Sequence, residues 1–216
     1  MNFKAEMNER VEQIEQILDQ YLPPKEGLQK TVLTAMNTTV KAGGKRLRPM
    51  LINETYQMFG GKGDIVKPFM AAIEMIHTYS LIHDDLPALD NDDYRRGKLT
   101  THKKFGEDFG VLAGDGLLNL AYETMLNAIS ELAKDYKNPD TAEKMALYSR
   151  AAAVIAGKAG VDGMVGGQSL DVYLTDKPMD EAQLDYIFRL KTGALIEADF
   201  FKRQFRCSYA IEGSND

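Results

Sequence analysis

An acidic segment in the middle of the chain holds the residue types best suited to bind a metal ion. It contains Asp84 and Asp85 side by side, then Pro87, then Asp90. Proline ends or kinks a helix, so Asp90 is expected to fold back beside the first two aspartates. Mg²⁺ prefers oxygen ligands and commonly combines a few carboxylates with water and phosphate oxygens. The three aspartates therefore predict a Mg²⁺ site, with Mn²⁺ as an alternative ion.

Two arginines, Arg95 and Arg96, follow the acidic segment and change what it is expected to bind. Runs of charged residues are most often solvated loops, and that interpretation stays open for the aspartates alone. A guanidinium pair beside metal-binding carboxylates can hold a pyrophosphate group, which carboxylates alone would repel. The combined segment therefore favours a diphosphate site.

A second charged segment lies at a glycine turn and reads Gly43-Gly44-Lys45-Arg46-Leu47-Arg48-Pro49. It places three cations within four residues where a helix is predicted to begin. Free backbone N–H groups at a helix start also favour anions, so the turn is a candidate second anion site. The alternative is an ordinary exposed basic turn.

The dipeptide His83-Asp84 is compatible with a different function. Helical metal-dependent phosphohydrolases also contain His-Asp pairs. Such hydrolases need several His and Asp ligands on different helices to hold a transition metal. The chain has only three histidines, His77, His83 and His102. We therefore set the phosphohydrolase alternative aside.

The elements that must position these groups are predicted to be helices. Apolar residues recur at helical spacing, and no convincing alternating strand pattern is present. The predicted helices cover about 3–18, 28–40, a stretch from 47, 68–82, 108–128, 140–158, 162–174 and 180–205. Short Gly, Pro or Asn turns join them, which indicates one all-α bundle able to hold a site between its helices. The whole chain, residues 1–216, is interpreted as one domain.

Composition narrows the function further. The chain has 216 residues, a net charge of −6 and a single cysteine, Cys207. The acidic balance disfavours nucleic acid or an anionic membrane as a partner, because both attract basic faces. A lone cysteine suits a reducing compartment, and no apolar stretch approaches the ~20 residues that span a bilayer. We therefore expect a cytoplasmic protein without a membrane span.

Five segments in order, GGKRLRP, IHTYSLIHDDLPALD, RRGK, GGQSLD and KTGALI, resemble the trans-isoprenyl diphosphate synthase family. The likeness runs from about residue 25 to about 198 and is strongest to bacterial-type farnesyl diphosphate synthases. It implies an orthogonal bundle of long helices around a central cavity. It also implies head-to-tail condensation of isopentenyl diphosphate with an allylic diphosphate, dimethylallyl or geranyl, in a homodimeric enzyme. The apolar stretch 111–128 is the candidate dimer helix.

The same resemblance assigns roles to individual residues. The first aspartate-rich motif, which binds the allylic diphosphate through Mg²⁺ with help from Arg95, corresponds to Asp84, Asp85 and Asp90. The residues that hold isopentenyl diphosphate correspond to Lys45, Arg48, His77 and Arg96. The catalytic residues near the allylic diphosphate and the developing cation correspond to Lys191, Thr192 and Gln168. Taken singly, Gln168, Lys191, Thr192 and His77 are each more typical of a structural role, and only the order of the motifs favours the functional one.

Product length is predicted from Tyr79 and Ser80, about one turn before the aspartates. Residues four apart on a helix are neighbours, so Ser80 is expected beneath Asp84, with Tyr79 as the floor of the cavity. An aromatic residue there, together with the insertion of Pro87-Ala88, resembles farnesyl synthases and implies a C15 product. The alternative is that Tyr79 belongs only to the core.

The chain departs from the family at its end. No second aspartate-rich DDxxD segment follows the KTG segment, and the tail at 199–216 is unlike the small apolar helix expected there. The sequence is therefore expected to lack the C-terminal helices of the bundle. A non-catalytic family member that acts as a binding or partner subunit is the alternative to an active enzyme.

Overall fold

The structure is a computed structural model that describes residues 2–200, and most of these residues are helical. The ten α-helices of this part are α1 (Phe3–Tyr21), α2 (Lys30–Val40), α3 (Leu47–Met58), α4 (Lys67–Asp84), α5 (Thr101–Phe105), α6 (Glu107–Ala133), α7 (Thr141–Ala159), α8 (Met164–Tyr173), α9 (Glu181–Ile187) and α10 (Ala194–Asp199). The predicted all-α class is confirmed. Residues 201–216, with Cys207 and nearly all of the predicted atypical tail, lie outside the described residues.

Helix α4 is the centre of the bundle. Ile73, Met75 and Ile76 are fully buried, and so are residues on every side of this helix. A helix that is apolar all round is stable only inside a core, which explains its position. It packs most closely on α6, where a Cβ at Gly114 would overlap the His83 ring. Small residues on α6 therefore let the acidic end of α4 sit close to its neighbour.

A short antiparallel hairpin interrupts the helices, with β1 (Tyr94–Arg95) paired to β2 (Lys98–Leu99). Its two turn residues, Arg96 and Gly97, have φ values of 53° and 74°. Positive φ at both central residues matches the twist of the flanking strands and closes a two-residue hairpin. The sequence pattern missed this hairpin because strands of two residues are too short to alternate.

One helix expected over 180–205 is divided in the structure. It consists of α9, a π-helix over Phe188–Gly193, and α10. The first turn of α9 is fixed by a reciprocal cap between Asp180 and Gln183. π-helical turns are rare and occur frequently at functional sites. Periodicity alone predicts continuous helix here, because the π turn changes the repeat by only one residue.

Candidate functional site

The acidic end of α4 folds back as the sequence predicts. The helix ends at Asp84, and after Pro87 the chain reverses so that the Asp90 N–H donates to the Asp84 carbonyl at 2.9 Å. A second bond, 3.1 Å long, runs from the Asn91 N–H to the Leu86 carbonyl. These bonds bring Asp90 back to the helix end, as a proline at this position requires.

The three aspartates are nevertheless not assembled as a ready metal site. Within residues 2–200, no group of three His, Cys, Asp or Glu side chains is arranged to hold a metal ion. The reason is Arg95, whose Nε and Nη2 lie 2.8 and 2.6 Å from Asp85 Oδ1 and neutralise this carboxylate. Asp84 instead accepts a 2.9 Å hydrogen bond from Gln168 Nε2. Asp84 and Asp85 are thus bound to different partners.

The surroundings of the Asp84 carboxylate still favour binding of a cation. Burial raises the pKa of the Asp84 carboxyl, and the charges of Asp90 and Asp85 raise it too, while Lys191 and Arg95 act against them. No cation lies within 4 Å of Asp84 among the described residues. A divalent ion would stabilise this carboxylate, and carboxylate oxygens are ligands that Mg²⁺ prefers. The residues present therefore suit Mg²⁺ if another molecule supplies the remaining ligands.

Asp84 lines a cavity of about 410 Å³, named the aspartate cavity here. Its predicted site residues come from four elements and are Arg48, His77, Tyr79, Ser80, Asp84, Gln168, Lys191 and Thr192. Met164, Val165, Leu81 and Leu89 supply apolar wall. A mostly apolar cavity with a few convergent polar groups is typical of a small-molecule site. The structure therefore collects residues far apart in the sequence into one cavity.

Two of the expected catalytic residues lie on the π-helix. Lys191 Nζ is 2.5 Å from Asp171 Oδ2, and Thr192 follows it at the cavity wall. A Cβ at Gly167 would overlap the Lys191 backbone nitrogen, so α8 and the π-helix touch backbone to backbone. Asp171 was missed from the sequence. Its place three residues after Gln168, on the same face of one helix, was the available signal.

The side-chain amide of Gln168 has a hydrogen-bond partner for its nitrogen but none for its oxygen. Its amide nitrogen donates to Asp84, whereas its Oε1 is buried without a hydrogen-bond partner. Buried acceptors are rarely left unpaired in native proteins. This oxygen is therefore available to a positively charged or hydrogen-bonding group that enters the cavity.

The second cavity, named the cationic cavity here, measures about 400 Å³. Its lining contains Gly44, Lys45, Arg46, Leu47, Arg48, Glu74, His77 and Arg96. It shares Arg48 and His77 with the aspartate cavity. Burial, then the nearby Arg48 and Arg96, lower the pKa of His77 to about 3. The imidazole is consequently neutral at ordinary pH, between groups that are positive.

Arg96 reaches this cavity from the hairpin. Its guanidinium donates to the Gly43 carbonyl, and Lys98 Nζ donates to the Ala42 carbonyl at 3.2 Å. A Cβ at Gly44, where φ is 158°, would overlap the Arg96 guanidinium. The glycine turn is therefore open enough for the hairpin to dock. Lys45, Arg48, Arg96 and His77, which the sequence grouped, do line one cavity.

Arg46 differs from the other cations of the turn. Arg46 is only 2% exposed, and its guanidinium pairs with the carboxylates of Glu15 and Glu74. All three cations of the basic segment line the cavity, but the charge of Arg46 is neutralised by its two glutamates, which leaves Lys45 and Arg48 for an anion. The inward course of Arg46 has no signal in the local sequence, because its partners lie 31 and 28 residues away.

Tyr79 and Ser80 lie on the wall of the aspartate cavity. Tyr79 is 7% exposed and packs edge-on to the His83 ring with centroids 5.8 Å apart. Burial raises the pKa of Tyr79 to about 12. Ser80 Oγ donates to the His77 carbonyl at 2.9 Å, as side chains one turn apart can.

Comparison with known proteins shows consistent similarity. The polyprenyl synthetase family model matches residues 29–204. The chain is 42% identical over 191 residues to farnesyl diphosphate synthase of Geobacillus stearothermophilus, covering 88% of this chain and 61% of the relative. It is 39% identical over 198 residues to farnesyl diphosphate synthase of Escherichia coli, covering 92% and 63%. The chain thus spans about three fifths of the length of these relatives.

Two solved structures are also similar to this chain in both fold and sequence. A geranyltransferase from Legionella pneumophila has a TM-score of 0.81 at 37% identity, covering 92% of this chain and 67% of that one. An FPP/GFPP synthase from Zymomonas mobilis has the same TM-score at 34% identity, covering 95% and 70%. Among residues 2–200, no helix is both long and apolar enough to cross a membrane.

Proposed function

This chain belongs to the polyprenyl synthetase family, and from that membership we propose that it joins isopentenyl diphosphate head to tail to an allylic diphosphate. The observation that supports the proposal best is the pair of cavities that share Arg48 and His77. The aspartate cavity combines the Asp84 carboxylate with apolar wall, and the cationic cavity is lined mainly by cations. Two anionic substrates, one with a long hydrocarbon tail, match this division.

The aspartate cavity is proposed to take the allylic diphosphate. Members of this family use a divalent metal ion, and we assign Mg²⁺ to Asp84, Asp85 and Asp90. When bound, the ion would supply Lewis-acid stabilisation of the charge that develops on the departing diphosphate. Lys191 lies in the same cavity and carries a positive charge that can turn from Asp171 to the diphosphate. Arg95 would contribute from the other side of Asp85.

Departure of the diphosphate leaves an allyl cation that must be protected from water. The apolar walls of the aspartate cavity exclude solvent around the hydrocarbon. The unpaired Oε1 of Gln168 and the hydroxyl of Thr192 are the polar groups proposed to stabilise the cation. The family resemblance suggests that the released pyrophosphate removes the final proton, so no side chain is assigned as a base.

The cationic cavity is proposed to take isopentenyl diphosphate. Lys45, Arg48 and Arg96 provide the charge that opposes an anion, and Arg96 can also present several N–H donors in one plane. His77 remains neutral because of its low pKa, and it can add a hydrogen bond. The shared position of Arg48 and His77 would bring the alkene next to the allyl cation.

Tyr79 and Ser80 are proposed to limit product length to C15. Both side chains line the aspartate cavity one turn before Asp84. A bulky aromatic ring there would stop a growing hydrocarbon from extending further into the bundle. Farnesyl diphosphate is consequently the proposed product.

We further propose a cytoplasmic homodimer. Helix α6, expected to form the dimer contact, exposes Val111, Leu112 and Leu126, with 44, 52 and 61% of their surfaces accessible. Exposed apolar side chains on one long helix are typical of surfaces that bury against a partner. Light scattering should report twice the monomer mass at micromolar concentration, and a clean monomer would contradict this assignment.

The proposed reaction is tested by incubating the chain with labelled isopentenyl diphosphate, dimethylallyl or geranyl diphosphate, and Mg²⁺. Labelled product that disappears with EDTA supports the proposal, and its chain length is measured in the same assay. Binding of both substrates without turnover would instead support a binding subunit. Failure to bind either diphosphate would refute the proposed function.

A further inference from the structure

Arg46 connects the turn of the cationic cavity to three helices. Its Nε donates to Glu15 on α1 at 2.7 Å, and its Nη1 donates to Glu74 on α4 at 2.5 Å. Its Nη2 donates to the carbonyl of Val40, at the end of α2, at 2.5 Å. Only 1% of the Arg46 side chain is exposed. Its planar guanidinium satisfies three partners at once, which a single ammonium cannot do in the same geometry.

The backbone of Arg46 also directs the helix that follows. Its φ is 49°, in the left-handed region that residues with a side chain rarely adopt. Arg46 is the N-cap of α3, and Arg48 is the second residue of that helix. Arg46 thus joins the start of α3, and with it Arg48, to the groups that bind its buried guanidinium.

The charge of Arg46 matters as well as its geometry. Glu74 lines the cationic cavity and is 2% exposed, so its carboxylate would repel an entering anion if it were unpaired. Arg46 pairs with this carboxylate directly. Glu74 also lies one turn before His77 on α4, so its position bears on the opposite wall of the cavity.

We propose that Arg46 is a positioning residue for isopentenyl diphosphate: it orients Arg48 and His77 and neutralises Glu74, without touching the substrate. The inference rests on the proposed function. Arg46 and Glu74 line the cationic cavity but not the aspartate cavity, whereas Arg48 and His77 line both. Loss of Arg46 should therefore weaken binding of isopentenyl diphosphate more than binding of the allylic diphosphate.

The test is calorimetric titration of the whole chain with isopentenyl diphosphate and, separately, with geranyl diphosphate plus Mg²⁺. Arg46→Lys should weaken isopentenyl diphosphate binding at least about tenfold, because one ammonium replaces three directed bonds. Binding of geranyl diphosphate should change less than about twofold, because its proposed metal ligands lie outside the network. Glu15→Gln, at a partner whose side chain is 32% exposed, should weaken binding of isopentenyl diphosphate by about two- to threefold.

Arg10→Lys is the matched control. Arg10 also joins two glutamates, Glu6 and Glu54, but at the surface and away from both cavities. Neither ligand should respond to this change. The control separates the position of the network from the general effect of replacing arginine.

A second variant keeps the test valid if Arg46→Lys does not fold. The double change Arg46→Met and Glu74→Gln removes both buried charges, so the fold is expected to persist while isopentenyl diphosphate stays weakly bound. Wild-type affinity in a folded double variant would overturn the positioning role. Equal weakening of both ligands in Arg46→Lys would do the same. If the unaltered chain binds neither ligand, the proposed function fails and this inference fails with it.

Discussion

The cationic cavity and the aspartate cavity share Arg48 and His77, yet their charged groups are held in different ways. In the cationic cavity Arg96 is fixed by a backbone carbonyl and Arg46 by two carboxylates. In the aspartate cavity Asp84 accepts a hydrogen bond from the neutral amide of Gln168, and the neighbouring Asp85, outside that lining, pairs with Arg95. The cationic cavity thus presents cations to an anion without any added ion, whereas the aspartate cavity presents the Asp84 carboxylate, which favours a cation.

The difference has a simple electrostatic origin. Arginine and lysine can donate to backbone carbonyls, so cations are held next to one another by the fold itself. Carboxylates need donors or a metal, and the pKa of the Asp84 carboxyl is raised first by burial and then by the charges of the nearby Asp90 and Asp85. The following changes should separate the two cavities, from the largest expected effect to the smallest.

Asp84→Ala should have the largest effect. Loss of this carboxylate removes the proposed metal ligand of the aspartate cavity, and turnover should fall by about a thousandfold or more. Isopentenyl diphosphate binding should change by less than about threefold. Steady-state rates and calorimetry measure the two quantities. Asp93→Asn, at an exposed aspartate paired with Lys103, is the control and should leave both nearly unchanged.

Removal of Mg²⁺ should affect ligand binding in the two cavities differently, without any mutation. With EDTA, binding of geranyl diphosphate should weaken about a hundredfold, because the carboxylates repel its phosphates once the ion is absent. Binding of isopentenyl diphosphate should change by less than about threefold. Equal loss for both ligands would show that the cationic cavity also depends on the ion.

Gly167→Ala tests how the aspartate cavity depends on close helix packing. The added methyl group would overlap the Lys191 backbone and displace the π-helix. Overpacking of this kind costs about 1–3 kcal/mol of stability, and turnover should fall about tenfold or more. Gly157→Ala is the matched control, because its Cβ would meet no atom within 4 Å. The control should be neutral or slightly stabilising.

Tyr79→Ala tests the proposed floor of the aspartate cavity. Products longer than C15 are expected, because the cavity gains space below the metal ligands, while the rate should change by less than about tenfold. Chromatography of the hydrolysed products measures their length. A distribution that remains at C15 would return Tyr79 to a purely structural role.

Asp199 should affect stability while leaving both ligands nearly unchanged. Burial raises its pKa to about 8, and neither carboxylate oxygen has a hydrogen-bond partner. An acid whose pKa is raised in the folded state is protonated there and ionised in the unfolded state between about pH 4 and 8. The contribution of Asp199 to stability is therefore fully present below about pH 4 and is lost as pH rises through this window.

Asp199→Asn removes this ionisation. The variant should be more stable than the unaltered chain by about 2–4 kcal/mol at pH 8, with little difference at pH 4. Chemical denaturation at both pH values measures the difference. A gain of equal size at both pH values would point to packing rather than charge.

Much of this molecule follows from local sequence. The helical repeat of apolar residues predicts the main helices, because burial of one face is a property of each segment. Pro87 predicts the reversal that brings Asp90 to the end of α4, because proline cannot continue the hydrogen-bond ladder. Ordered motifs also assign residues to two substrate groups, and the two cavities contain members of each.

Other features depend on how distant segments pack together. The pairing of Arg46 with Glu15 and Glu74, of Arg95 with Asp85, and of Lys191 with Asp171 is not encoded near any of these residues. Each pairing depends on side-chain orientation after the helices have docked, and the choice among available charges is made by distance and burial. For this reason the sequence by itself determined the helices and the candidate residues. Only the tertiary structure decided which charged side chains face a cavity and which pair with one another.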